Sequence, residues 1–134
     1  MKILVDTNIV LDFLLARDPF FQEAERLFQA IDADQVAGYV TATTVTDIFY
    51  IARRSTRSVE QARQAVSQTL TAMTICPVDR AILASAFASG ITDFEDAVQI
   101  ACAVDQRLDA ILTRDKDFLS STILVLSIAD LFQP

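Results

Sequence analysis

Short apolar runs alternate with longer segments of helical periodicity along this chain. Each short run carries consecutive apolar residues, many of them β-branched, without the polar alternation of a half-exposed strand. Such runs are typical of strands buried on both faces of a parallel sheet. We therefore predict strands at residues 2–5, 36–41, 73–78, 110–113 and 123–126.

The segments between these strands place apolar residues at helical spacing, with capping residues and helix breakers at their ends. Pro19 is placed to open the second helix, Thr43 or Thr44 to cap the third, Gly90 to close the fifth, and Asp93 to open a long sixth. Helices are predicted over residues 8–16, 20–31, 45–52, 58–73, 79–88, 93–108 and 128–132, with a brief helical turn over 115–119.

This alternation predicts an α/β protein in which helices cover both faces of a parallel sheet. The 134 residues suit one hydrophobic core, and we expect a single domain over residues 1–134. The chain has only two glycines, which excludes the glycine-rich phosphate loops of dinucleotide-binding and P-loop proteins. No apolar run approaches the roughly 18 residues of a membrane span, so no membrane association is expected.

The amino-acid composition excludes several classes of functional site. Eighteen acidic and 11 basic residues give a net charge of −7, which is unfavourable for general nucleic-acid binding because phosphate contacts need Lys and Arg. The absence of histidine excludes a Ser-His-Asp triad and the usual zinc sites. Cys76 and Cys102 lie in apolar sequence without metal-ligand spacing, so we expect buried free thiols and a reducing, cytoplasmic location.

Acidic side chains fall where the predicted strands end. Ligand sites of open parallel sheets lie at the carboxyl ends of the strands, so these acids are expected at one edge. Asp6 follows the first strand directly and is flanked by Thr7 and by Asn8, a candidate supporting residue. The other acids are Asp47 in the helical turn after the second strand, Asp93 and Asp96 at the start of the long helix, and Asp115 and Asp117 after the fourth strand.

Clustered carboxylates repel one another and remain ionised together only beside a cation. Mg²⁺ and Mn²⁺ are hard ions that prefer carboxylate oxygen and water as ligands. Such ions activate water for attack at phosphorus without any histidine or protein nucleophile. The set of acids therefore predicts metal-dependent hydrolysis of a phosphodiester.

Each acid also has a structural interpretation. Asp93 and Asp96 fit a capping pair, Asp47 is favourable in a first helical turn, and Asp115 could be a plain cap. Asp6, directly after an apolar strand, is unusual for a purely structural position. Capping does not explain why all these residues fall at one edge of the predicted sheet.

Four segments resemble the PIN-domain proteins of the VapC toxin type. They occur in that family's order and spacing, and together they span nearly the whole chain. The segments are Ile-Leu-Val-Asp-Thr-Asn-Ile at 3–9, Thr-Thr-Val-Thr-Asp-Ile-Phe-Tyr at 43–50, Asp-Phe-Glu-Asp-Ala at 93–97, and Ile-Leu-Thr-Arg-Asp-Lys-Asp-Phe at 111–118.

The resemblance implies a three-layer α/β/α sandwich with a five-stranded parallel sheet, and an endoribonuclease dependent on Mg²⁺ or Mn²⁺. It further implies the toxin of a toxin–antitoxin pair, a homodimer, an RNA substrate and an antitoxin partner. The family's second acid is commonly Glu, whereas this chain has the shorter Asp47. Carried over by position, the metal-site acids are Asp6, Asp47, Asp96 and Asp115, with Asp93 and Asp117 as outer members and Thr113 as a support.

Three arginines are candidates for contacts with substrate or partner. Arg53 and Arg54 lie at the predicted end of a helix, where they would contact RNA phosphate or complement the helix dipole. Arg114 stands beside Asp115, and its partner stays open between substrate, an antitoxin carboxylate and a neighbouring Asp.

Two other functions remain as alternatives. An aspartyl-phosphate mechanism would require Asp at position 8, where this chain has Asn8, or an acceptor such as Asp79 with a Lys after the fifth strand, which is missing. A non-catalytic binding module of the same fold is compatible with the acidic charge and with Asp47.

Overall fold

The structure is a computed structural model that describes residues 1–133. It consists of a parallel sheet flanked by helices. The strands are β1 (Lys2–Val5), β2 (Ala37–Thr41), β3 (Thr74–Cys76), β4 (Ala110–Leu112) and β5 (Leu124–Leu126). The helices are α1 (Thr7–Leu14), α2 (Phe21–Asp32), α3 (Ala42–Thr56), α4 (Val59–Ala72), α5 (Arg80–Ala88), α6 (Phe94–Asp105) and α7 (Ile128–Leu131).

The five strands are ordered β3-β2-β1-β4-β5, and every neighbouring pair is parallel. Strand β1 is central, with Ile3 opposite Gly38 on one side and Ala110 on the other. The apolar residues of β1 are almost completely buried, as expected for a strand covered on both faces. The five-stranded parallel sheet predicted from the sequence is therefore confirmed.

The side chains of β1 alternate between two hydrophobic clusters, one on each face of the sheet. Ile3 and Val5 belong to the cluster that includes buried residues of α1 to α4 and α7. Leu4 belongs to the cluster that includes buried residues of α5 and α6. These two clusters confirm the three-layer α/β/α arrangement and hold the carboxyl end of β1 rigidly in the middle of the sheet.

Several predicted elements have other bounds in the structure; β3 is shorter than predicted, α3 is longer, and α6 ends earlier. Helix α3 is capped by Thr41, whose Oγ1 accepts from the Thr44 N–H at 3.1 Å, so neither Thr43 nor Thr44 is the cap. Helix α2 begins at Phe21, after a turn that includes Pro19. The predicted helical turn over 115–119 is a tight turn, in which the side chain of Asp115 accepts from the Asp117 N–H at 2.9 Å.

Cys76 and Cys102 are both buried free thiols, in agreement with the sequence. Burial raises the pKa of Cys76 to about 11 and that of Cys102 to about 12, so both stay protonated in neutral solution. Across residues 1–133, no helix has the length and apolar character required to cross a membrane.

Candidate functional site

A polar cavity of about 380 Å³ opens at the carboxyl ends of the central strands. It brings together the four acids expected to form a metal site, and also Asn8 and Asp93. Asp117 does not line it and instead borders a neighbouring depression beside Asp93 and Asp96. The lining residues are Asp6, Thr7, Asn8, Asp47, Tyr50, Ile51, Arg54, Asp93, Glu95, Asp96 and Asp115.

Asp6 is held by hydrogen bonds to both of its carboxylate oxygens. Its Oδ1 accepts from the Thr7 N–H at 2.8 Å and from Gln99 Nε2 at 3.0 Å. Its Oδ2 accepts from Thr113 Oγ1 at 2.7 Å. Asp6 is also the N-cap of α1, so the end of β1 and the start of α1 fix its backbone. The side chain is therefore positioned before any ligand binds.

Thr113 connects Asp6 to the turn that follows β4. While its hydroxyl donates to Asp6, the same oxygen accepts from the Asp115 N–H at 3.1 Å. Its own N–H donates to the Leu126 carbonyl at 3.0 Å, which anchors it to β5. Thr113 thus links Asp6, the turn after β4 and β5, and its role as a support of the site stays a prediction.

The first turn of α6 carries both a cap and a member of the acidic cluster. Asp93 is the N-cap and accepts from the Asp96 N–H at 3.1 Å, as the capping interpretation predicted. Asp96 nevertheless lines the cavity. Burial, followed by the charges of Asp93, Asp6 and Asp115, raises its pKa to about 6. Capping and membership of the acidic cluster are thus compatible.

Glu95 is a sixth acid of the cavity, and the sequence analysis missed it. Thr7 Oγ1 donates to its Oε1 at 3.4 Å. Burial, then hydrogen bonding to Asp47 and the charges of Asp47 and Asp6, raise the pKa of Glu95 to about 7. The available signal in the sequence was the position of Glu95 between Asp93 and Asp96.

Gln99 is the second residue that the sequence analysis missed. It is almost fully buried in α6, and within residues 1–133 its Oε1 is the buried side-chain polar atom without a hydrogen-bond partner. Its Nε2 donates to Asp6, so the unpartnered Oε1 belongs to the same amide group that contacts this acid. The available signal was a glutamine on an otherwise apolar stretch of helix.

A chain of threonine hydroxyls joins the ends of β1 and β2 beneath the cavity. Thr7 and Thr44 are 2.9 Å apart at their hydroxyl oxygens, and Thr41 donates to Thr44 at 3.1 Å. All three side chains are buried. These hydrogen bonds fix α3 relative to α1. Asp47 lies one turn after Thr43, so it is not in the first turn of α3, where the sequence had predicted it.

The three candidate arginines occupy different surroundings. Arg53 and Arg54 are both exposed, and only Arg54 lines the cavity. Both are in the last turn of α3, where they also complement the helix dipole. Arg114 pairs with Asp12, with 2.8 Å between Arg114 Nε and Asp12 Oδ2. Of the three partners left open by the sequence, the one present within this chain is an Asp.

The donor set of the cavity suits a hard divalent cation. Its ligands would be carboxylates, and burial together with the charges of neighbouring acids raises the pKa values of two of them, Glu95 and Asp96. A cation would relieve the repulsion between these carboxylates. In the part of the chain that the structure describes, no three acidic or sulfur side chains are yet arranged closely enough to hold an ion. The acids thus fit the ion in chemistry and need a side-chain adjustment to coordinate it.

A family model described as PIN domain matches residues 2–117 of the chain. The match includes β1 to β4 and every acid that lines the cavity. Among curated proteins, no significant sequence relative is found.

Solved structures with the same fold include several toxins and toxin complexes. VapC20 of Mycobacterium tuberculosis, described as a sarcin–ricin-loop cleaving toxin, is similar with a TM-score of 0.71 and 18% identity, covering 87% of this chain and 92% of that one. A toxin–antitoxin complex from Klebsiella pneumoniae gives 0.68 and 22%, covering 93% and 96%. VapBC2 from Rickettsia felis, bound to a promoter DNA fragment, gives 0.68 and 13%, covering 95% and 98%. At these identities the likeness shows the fold.

Proposed function

The chain belongs to the PIN-domain family, and from this premise we propose that it is a metal-dependent endoribonuclease that hydrolyses RNA phosphodiester bonds. The observation that carries the proposal is the convergence of acids from four separate segments on one cavity. Stabilisation of the fold does not require this convergence, because the β1 end and α6 could be capped without aiming carboxylates at a shared space. Metal-assisted phosphodiester hydrolysis does require it.

Asp6, Asp96 and Asp115 would hold Mg²⁺ or Mn²⁺, with Asp47 assisting. Asp93 and Asp117 lie just outside this group, and Glu95 adds negative charge beside Asp47. When bound, the cation supplies Lewis-acid polarisation of a water and of the phosphate oxygens.

The chain's own residues contribute positioning and charge. Thr113 and Gln99 hold the Asp6 carboxylate in one orientation, so little reorganisation is needed on substrate binding. Arg54, on the cavity wall, offers guanidinium donors to a substrate phosphate. Tyr50, one helical turn earlier and exposed, offers a ring face to an unstacked base. These contacts favour a flexible single-stranded RNA over a duplex.

We further propose that the protein is the toxin of a toxin–antitoxin pair in the cytoplasm and acts as a homodimer. Support comes from the fold shared with solved toxin–antitoxin complexes. The antitoxin would cover the acidic cavity, where cationic side chains are the complementary chemistry for six carboxylates. Such a partner would block both the cation and the RNA.

The deciding experiment is cleavage of defined RNAs by the wild type and by Asp6→Asn, with Mg²⁺, with Mn²⁺ and with a chelator. We expect cleavage by the wild type that requires the cation, and loss of at least about 100-fold in the variant. Asp105→Asn, at the far end of α6, is the matched control and should cleave like the wild type. Full activity of a folded Asp6→Asn would overturn the assignment.

A non-catalytic binding module is the second candidate. It is favoured by one observation, namely that no group of three acidic or sulfur side chains within residues 1–133 is yet in metal-holding geometry. Titration calorimetry separates the two, because a nuclease of this type binds Mn²⁺ and a degenerate module does not.

A further inference from the structure

Asp12 is a buried charge that the proposed active site does not use. It lies on α1, is 1% exposed, and is not among the residues that line the acidic cavity. Its carboxylate accepts from Arg114 Nε at 2.8 Å, from an Arg114 terminal nitrogen at 3.3 Å and from an Arg17 terminal nitrogen at 3.5 Å. A carboxylate buried this deeply is strongly unfavourable without such partners.

Arg114 is fixed on a second side by an aromatic ring. Its guanidinium carbon lies 3.9 Å from the centroid of the Phe20 ring. A planar guanidinium that is held by two parallel hydrogen bonds and also stacks on a ring has little freedom left. Arg114 is flanked in the sequence by Thr113 and Asp115. Fixing Arg114 therefore fixes the turn that supplies one hydroxyl and one carboxylate to the cavity.

Neutralisation of Asp12 alone does not account for this arrangement. Arg17 contacts the same carboxylate from the segment after α1, and a lysine at either position would supply the charge. What Arg114 adds is a two-point connection between α1, whose cap is Asp6, and the turn after β4, which carries Asp115. Asp6 and Asp12 thus belong to one helix, six residues apart, while Arg114 directly precedes Asp115 in the sequence.

We propose that Asp12 and Arg114 form a positioning pair that sets the separation of Asp6 and Asp115. In this role neither residue touches the substrate or the cation. The pair acts through the turn over residues 113–117, and its effect on cation affinity rests on the proposed function given above.

The first test measures the turn itself in metal-free protein. Amide hydrogen exchange is followed for Asp115 and Phe118, whose N–H groups donate to Thr113 Oγ1 and the Asp115 carbonyl. We expect Arg114→Ala to speed exchange at these amides by about 10-fold or more while the sheet stays protected. Arg17→Ala, which removes the other Asp12 contact, should leave the turn unchanged. Equal effects of the two variants would overturn the positioning role.

The second test measures Mn²⁺ affinity by calorimetry. Partners outside the ligand shell are typically worth about 10- to 100-fold in metal affinity, and we expect a loss in this range for Arg114→Ala. Arg114→Lys keeps the charge beside Asp12 but not the two parallel hydrogen bonds, so it should fold and recover only part of the affinity. Arg26→Ala, which removes an equivalent guanidinium–ring contact with Phe132, is the control.

The proposed function and the positioning pair are contradicted by different results. A wild type that does not bind Mn²⁺ contradicts the proposed function, while the exchange experiment still decides whether Arg114 orders the turn. Wild-type Mn²⁺ affinity in Arg114→Lys and Arg114→Ala, with the wild type binding normally, contradicts the positioning pair and leaves the nuclease assignment intact.

Discussion

The Thr113 hydroxyl donates to Oδ2 of Asp6 at 2.7 Å, although 107 positions separate the two residues in the sequence. The contact exists because β1 and β4 are neighbours in the sheet, with Val5 opposite Leu112. Parallel pairing thereby places the polar residues that follow the two strands side by side. The orientation of the central acid is consequently a property of the sheet and not of one loop.

Replacing Thr113 by Val removes this hydroxyl while keeping the branched shape. Asp6 loses one donor and the Asp115 N–H loses its acceptor, so we expect a stability loss of about 1–3 kcal/mol by urea denaturation. Mn²⁺ affinity should fall by about 10-fold. Thr113→Ser retains the hydroxyl and is the control. A Val variant that binds Mn²⁺ like the wild type would show that Thr113 has no supporting role.

Replacing Gln99 by Met should separate affinity from stability. The variant loses a hydrogen bond to Asp6, yet it also removes a buried oxygen that has no partner, so the two effects on unfolding oppose each other. We expect the free energy of unfolding to change by less than about 1 kcal/mol while Mn²⁺ affinity falls by about 10-fold. A large stability loss with unchanged affinity would contradict this interpretation of Gln99.

Glu95 should make the metal-free protein less stable as the pH rises. Its pKa is raised from an ordinary value of 4.5 to about 7, because burial and the neighbouring Asp47 disfavour the charged form. The unfolded chain therefore releases this proton at lower pH, and folding stability falls between about pH 4.5 and about pH 7. Above that window the destabilisation is complete.

The measurement compares wild type with Glu95→Gln by urea denaturation in chelator across this pH window. The stability of the variant relative to the wild type should grow with pH and become constant above about pH 7. Glu60→Gln, in the first turn of α4, is the control. A difference that does not vary with pH would contradict the raised pKa. Saturating Mn²⁺ should remove the advantage of the variant.

The neighbouring arginines of α3 should differ in RNA binding. Arg54 lines the cavity and Arg53 does not, so only Arg54→Ala should lose a phosphate contact at the site. Fluorescence anisotropy with a labelled single-stranded RNA, in an Asp6→Asn background that does not cleave, measures the affinity against salt. Loss of one contact should reduce the slope of log affinity on log salt by about 0.7. Equal losses in the two variants would indicate a general charge effect.

The architecture was predictable because its signals are local. Buried parallel strands require short apolar runs, and the polar residues after them mark the edge where ligands bind. Those two rules place Asp6, Asp47 and Asp115 at one edge without any knowledge of distances, whereas Asp96 lies in α6, which follows another helix and not a strand. The role of Thr113 as a support came from the family resemblance and stays a prediction.

The remaining features depend on packing between distant segments. Gln99 looks like one polar residue in an apolar helix until α6 is laid against the end of β1. The pairing of Arg114 with Asp12 spans 102 positions and follows from the docking of α1 beside the turn after β4. The cap at Thr41 was misplaced because this residue ends β2 and begins α3 at once. None of these relationships has a periodic signature.

The pairing of β4 with β1 means that the cavity combines residues from distant parts of the chain. During synthesis, β1 and Asp6 leave the ribosome first, whereas β4, Thr113 and Asp115 leave more than 100 residues later. Until then Asp6 lacks its hydroxyl donor and the cavity lacks one of its acids. We therefore expect that a nascent chain ending before β4 cannot form the complete acidic cavity.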